Sequence, residues 1–159
     1  GHALTIRAMA LLPEWELVIA GEGPDRLALE ALIAELSVQD RVRLLGARPH
    51  ADLAACYGAA DLMVLASSRE GWANVLLESM ACGTAVVASD IPGNPEVVQH
   101  RDAGLIVPRT PAGIAAGVRD LAAAMPGRAA TRAYAERFGW AETSAGQYAL
   151  FREVLGRLD

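Results

Sequence analysis

The feature that most constrains this chain is a regular exchange of short apolar, often β-branched runs for stretches of helical periodicity. Residues 15–20, 42–45, 62–66, 85–88 and 105–107 read as strands, and residues 25–36, 50–60 and 74–82 read as helices between them. The first of these helices carries Leu27, Leu32, Ile33 and Leu36 behind an acidic start at Asp25. Alternating strands and helices predict a parallel sheet, because parallel neighbours need a crossover connection. Leu62-Met63-Val64-Leu65 and Ala85-Val86-Val87-Ala88 are apolar throughout, as strands covered on both faces must be. The expected fold is α/β: a three-layer sandwich with a parallel sheet between two helical layers.

Beyond Pro108 the pattern becomes helical. Thr110-Pro111 offers an N-cap followed by a proline suited to the first turn, and Pro126-Gly127 then breaks that helix. Residues 128–138 and 140–157 complete a helical tail, with Phe138, Trp140, Tyr148, Leu150, Phe151 and Leu155 expected as packing residues. At the other end Leu4, Ala8, Leu11 and Leu12 recur at helical spacing, so the chain opens inside a helix. With 159 residues, 53% of them hydrophobic, and no repeat or linker, the chain is long enough for one domain, with residues 15–108 as the βα core and 110–159 as the tail.

Several classes of function are disfavoured. A net charge of −5 leaves no basic surface to neutralise a row of phosphates, so nucleic acid is not an expected partner. No apolar run approaches the roughly 20 residues of a transmembrane span, and no leader pattern opens the chain, which reads as cytoplasmic, with peripheral membrane association open to the full-length protein. Cys56 and Cys82 form no C-x-x-C pair and lie in apolar stretches, as buried reduced thiols would. His2, His50 and His100 stand far apart with no ligand spacing, so no metal is expected. Gly21-Glu22-Gly23 hints at a dinucleotide fingerprint, but Arg26 stands where its third glycine belongs.

Ligands of open parallel sheets bind beyond the carboxyl ends of the strands. The loops to inspect are therefore 21–24, 46–49, 67–73 and 89–95, which hold most of the glycine and proline of the sheet region. The third is the most informative, because Glu70 lies in it and Glu78 follows on a helix largely surrounded by apolar neighbours. A carboxylate so enclosed needs hydrogen-bond donors, and the vicinal hydroxyls of a sugar would serve. The helix starting after Gly71 also offers free amides and a partial positive charge to a phosphate or diphosphate. On spacing alone an ordinary reading stands equal: Glu70 and Asn74 cap the helix, and an arginine pairs with Glu78.

The ordered motifs Glu70-Gly71 with Glu78, Ala81-Cys82-Gly83-Thr84-Ala85-Val86-Val87-Ala88-Ser89 and Pro92-Gly93-Asn94-Pro95-Glu96 resemble the signature of group 1, or family 4, retaining glycosyltransferases. The resemblance extends to Ala20-Gly21-Glu22-Gly23-Pro24, Arg41-Val42-Arg43-Leu44-Leu45-Gly46 and Ala59-Ala60-Asp61. It implies the C-terminal Rossmann-like half of a GT-B architecture, which binds a nucleotide-diphosphate sugar for transfer, with retention, to a glycan or lipid-linked acceptor held by an N-terminal domain. It implies Glu70 as the catalytic carboxylate on the donor sugar and Glu78 on the ribose hydroxyls. Gly71, Trp72, Ala73 and Asn74 would face the diphosphate and sugar, Gly46 and Arg48 the base region, and Gly93 the donor across the cleft; Gly21 joins the same donor-binding set. No cofactor beyond the donor substrate is implied.

The departures matter too. Ala73 replaces a usual glycine or proline, Ala85 a proline, and Pro92 a glycine, removing an amide that could have met the donor. Relatives also place a strand, an arginine and a lysine just before the position of Gly1. The natural protein is therefore expected to be longer, and this chain alone to be inactive. Without that strand, a sheet of six-strand dinucleotide-type order would have a gap near its middle or would rearrange. Arg48 and Arg69 are the candidates to meet the diphosphate in its place. Two other readings remain at this point: a nucleotide-sugar epimerase of related architecture, and a non-catalytic nucleotide-sugar-binding module.

Overall fold

The computed structural model describes residues 1–156, Glu142 by its backbone alone. Helix α1 (His2–Met9) leads into β1 (Leu17–Ala20), α2 (Arg26–Glu35), β2 (Val42–Gly46), α3 (His50–Ala59) and β3 (Leu62–Leu65). The chain continues through α4 (Asn74–Ala81), β4 (Ala85–Ser89), α5 (Asn94–Val97) and β5 (Gly104–Val107) into the helices α6 (Pro111–Ala123), α7 (Arg128–Ala135) and α8 (Trp140–Gly156). All five expected strands form, and every pairing between them is parallel. Helix α5 was not anticipated; it is a single turn, too short for a periodic signal. The expected end of α8 at Arg157 lies outside the described residues.

Three layers follow from the way side chains alternate along β4, which is buried at every position. Ala85 and Val87 enter one core with Ile6, Ala8 and Met9 of α1, Leu29, Leu32 and Ile33 of α2, and Ile114, Val118 and Leu121 of α6. Val86 and Ala88 enter the other with Leu76 and Met80 of α4, Val97 of α5 and Tyr134 of α7. Each fully buried aliphatic side chain of these cores contributes roughly 1.5–3 kcal/mol by leaving water.

The sheet, however, comes in two pieces. β1 pairs only with β2, and β3, β4 and β5 form a separate ladder in that order. Between β1 and β3 lies a cavity of about 600 Å³, lined by Leu17–Ala20 on one side and by Leu62, Met63 and Val64 on the other. Thr5, Ala8, Met9 and Leu12 from the α1 region, with Ile114 and Val118 of α6, close it on one face. Of the two outcomes expected there, a gap or a rearranged sheet, the described residues show a gap.

Local chemistry explains several boundaries. Thr110 caps α6 as expected, its Oγ1 accepting the Gly113 amide at 3.0 Å. Arg41 donates to the carbonyls of Leu12 at 2.8 Å, Trp15 at 3.2 Å and Met9 at 3.3 Å, placing a cation at the carbonyl end of α1. Asp25 precedes α2 but makes no side-chain capping bond, so the acidic start is no cap.

Three expectations on packing are corrected. Leu27 is 78% exposed, because it stands on the solvent side of α2. Trp140, Tyr148, Leu150, Phe151 and Leu155 of α8 are also exposed rather than packed, and only Phe138 touches a core. Periodicity reports an apolar stripe but not whether anything covers it. Cys56 and Cys82 are free, but half-buried rather than fully enclosed.

Candidate functional site

The loop from β3 to α4 carries the central constellation. No side chain caps α4, whose N-cap is Ala73, so Glu70 and Asn74 are not capping residues, and the first-turn amides lack side-chain partners. Glu70 is half-buried, and its carboxylate has no hydrogen-bond or ion-pair partner among the described residues. Gly71 is exposed, and no protein atom lies within 4 Å of the position a Cβ would take there. Asn74 is exposed, while Ala73 is buried against the core that holds Leu76 and Met80. Trp72 is 45% exposed, with its ring tilted against Phe138 at 6.1 Å between centroids.

A second loop closes on the first. Gly93 has φ +94°, and a Cβ there would fall 2.7 Å from the Gly71 carbonyl oxygen and 3.5 Å from that of Glu70. Only glycine combines that backbone state with so close an approach. The structure thus brings Glu70, Gly71 and Gly93 into contact just before Asn74 opens α4. Gly1 stands at the same rim, where an added Cβ would meet the Ala66 carbonyl.

Glu78 lies a little over one turn beyond Asn74, on the same side of α4. It is half-buried and accepts a long hydrogen bond from the Tyr57 hydroxyl at 3.4 Å; no arginine pairs with it among the described residues. Burial, and then the nearby Glu78 charge, push the Tyr57 phenol up to about 12, because both oppose a phenolate. The Tyr57 backbone is fixed in turn: Thr84 Oγ1 donates to its carbonyl at 2.6 Å, and Arg128 donates to Thr84 Oγ1 at 3.1 Å and to the Ala60 carbonyl at 2.7 Å. Tyr57 escaped the sequence reading because a single aromatic in a helix reads as packing.

Gly21 and Gly46 also meet, through a 2.9 Å bond from the Gly21 amide to the Gly46 carbonyl. They stand at the ends of β1 and β2, across the gap from the loops of β3 and β4. Arg48 and Arg69 are exposed, and neither is engaged in an ion pair among the described residues. Ser89, the last residue of the Ala81–Ser89 motif, and Arg109 bind the first residues of the β3–α4 loop. Arg109 lies outside every motif, and nothing in its spacing marks it, since its contacts cross strands.

The histidines lie apart: His100 accepts the Asp102 amide, and His2 and His50 open helices. Burial, followed by the neighbouring N-terminal charge, lowers the pKa of His2. No cluster of three metal-ligating side chains occurs among the described residues.

Comparison with known proteins decides the family. The profile described as Glycosyl transferases group 1 matches residues 1–138. The chain belongs to this family. Among group 1 relatives, it is 40% identical over 148 residues to a D-inositol 3-phosphate glycosyltransferase of Thermobispora bispora, covering 87% of this chain and 34% of that protein. Two solved structures superpose closely. A sucrose-phosphate synthase from Thermosynechococcus elongatus matches 99% of this chain and 44% of its own, with TM-score 0.79 and 29% identity. Anabaena HepE, solved in complex with UDP and glucose, matches 96% of this chain and 44% of its own, with TM-score 0.78 and 26% identity. The α/β half of a GT-B architecture expected from the motifs is therefore the observed one. The chain spans about a third of the length of this glycosyltransferase relative.

Proposed function

We propose that this chain is the donor-binding unit of a longer glycosyltransferase, binding a nucleotide-diphosphate sugar for transfer, with retention, to an acceptor held by a separate N-terminal domain. The observation that carries this reading is the meeting of the Glu70-Gly71 loop with Gly93 at the start of α4, where the half-buried Glu70 carboxylate has no partner among the described residues. No side chain caps α4 there, and the exposed Gly71 leaves room for a ligand. The helix dipole of α4 suits a diphosphate, although the Asn74 and Leu76 amides already donate to the Trp72 and Ala73 carbonyls at 3.0 Å. Glu78 would accept from ribose hydroxyls and Glu70 from the sugar. Trp72, Ala73, Asn74 and Gly93 would bound the sugar and diphosphate, and Gly21, Gly46 and Arg48 the base side. Catalysis would come from holding the donor in place and stabilising charge on the departing diphosphate.

The cavity between β1 and β3 supports the same reading of the domain. Its two sides are strand edges without a partner, and apolar side chains line it, so a parallel strand from the rest of the protein would close the sheet. Residues 15–108 would then be the βα core and 110–159 its tail. HepE supports uridine as the base, by analogy.

Calorimetric titration with UDP, GDP, UDP-glucose and GDP-mannose tests the proposal. Saturable binding of a nucleotide, abolished by Glu78→Ala, is the expected result. Binding that survives this substitution would refute the ribose assignment, and no binding to any of the four would refute donor recognition by this chain. Sugar transfer is expected only from the full-length protein.

A further inference from the structure

The β3–α4 loop is held at both ends by groups that lie outside it. At its start, Ser89 Oγ donates to the Ser67 carbonyl at 2.9 Å. The single Nε–H of Arg109 is shared between the same carbonyl, at 3.0 Å, and that of Ala66, at 3.1 Å. The Ser67 oxygen thus receives two donors, as many as its lone pairs accept. Three residues further on, Gly93 packs against the carbonyls of Glu70 and Gly71.

The two clamps are one assembly. Asn94, wholly buried, donates from Nδ2 to the Ser89 carbonyl at 2.9 Å and follows directly on Gly93. Arg109 sits beyond β5 and reaches across the end of β4 to the end of β3, because β4 lies between those strands. An exposed arginine gives up rotamer freedom to hold such a pose. Its acceptors explain why it does so: Ala66 and Ser67 lie just past Leu65, where the β3–β4 register ends, so these carbonyls are anchored by side chains. A guanidinium donating to carbonyls makes the stronger, charge-assisted kind of bond.

We infer that Ser89 and Arg109 are positioning residues that fix where Glu70 stands relative to α4. The inference rests on the reading of Glu70 as the sugar contact and Glu78 as the ribose contact. It makes a specific demand. Loosening the loop should harm recognition of the sugar, which depends on Glu70, and spare recognition of the nucleotide, which depends on Glu78 on the rigid α4.

The test uses this chain with Arg109→Ala, Ser89→Ala and both together. In the first measurement, hydrogen exchange of residues 66–72 is expected to accelerate about tenfold in the double variant while α6 and β4 exchange as before. In the second, calorimetry is expected to show UDP-glucose bound about tenfold more weakly, with UDP affinity unchanged. Unaltered loop exchange would overturn the inference. So would a loosened loop with the UDP-glucose to UDP ratio preserved, or an equal loss of both ligands together with a lower Tm, which would mark a merely structural role. If the unsubstituted chain binds no nucleotide, the donor reading fails on its own account, and the exchange measurement still decides whether these residues hold the loop.

Discussion

Gly71 and Gly93 are both glycines of the motif loops, yet opposite reasons keep them so, and substitution separates the two. Gly71→Ala meets no protein atom within 4 Å, so it is expected to leave Tm unchanged while weakening UDP-glucose binding in calorimetry. Gly93→Ala combines a positive φ with a 2.7 Å approach to the Gly71 carbonyl and is expected to lower stability by about 1–3 kcal/mol in urea unfolding. Tyr57 gives a pH-dependent test. Its pKa is raised to about 12 in the folded chain against 10.0 ordinarily, so the unfolded chain releases the proton first. The associated stability is complete below pH 10.0 and is lost as pH rises through about 12. Tyr57→Phe removes that loss, and urea midpoints measured at about pH 9 and about pH 11 should lie closer together in the variant. At this scale the sequence singles out the residues that belong to linear motifs, Glu70, Gly71, Glu78, Ser89 and Gly93. It conceals Tyr57 and Arg109, and the partner of Ser89, because those contacts join different elements.

Helices and strands were legible wherever an apolar period or a cap had room to show itself. All five strand runs became strands, and Thr110-Pro111 opened α6 as its chemistry requires. Thr110→Ala is expected to cost about 1 kcal/mol, measured by urea unfolding, because the Gly113 amide loses its acceptor. α5 was invisible, since four residues are too few to repeat anything. α8 differs: its apolar stripe forms on a helix, but Trp140, Tyr148, Phe151 and Leu155 are exposed. Cutting the chain after Gly139 is therefore expected to leave Tm essentially unchanged and to reduce self-association in analytical ultracentrifugation.

In the whole molecule, the split sheet is one of the two outcomes, a gap or a rearrangement, that the family resemblance implies, and no local pattern shows it. Among the described residues, β1 and β2 share no ladder with the other strands and meet them through the chain at α3 and through side-chain packing with α1, α2 and α6. Their amides are expected to exchange faster than those of β4, as measured by hydrogen exchange. No helix among the described residues is long and apolar enough to cross a membrane. β4 differs from the other described strands in being buried at every position. Its alternating side chains are shared between both cores, so neither core can melt without uncovering it. Cooperativity in this protein is thus vested in five residues: whatever frays at β1 or α8 can do so alone, but the loss of β4 is the loss of the native state.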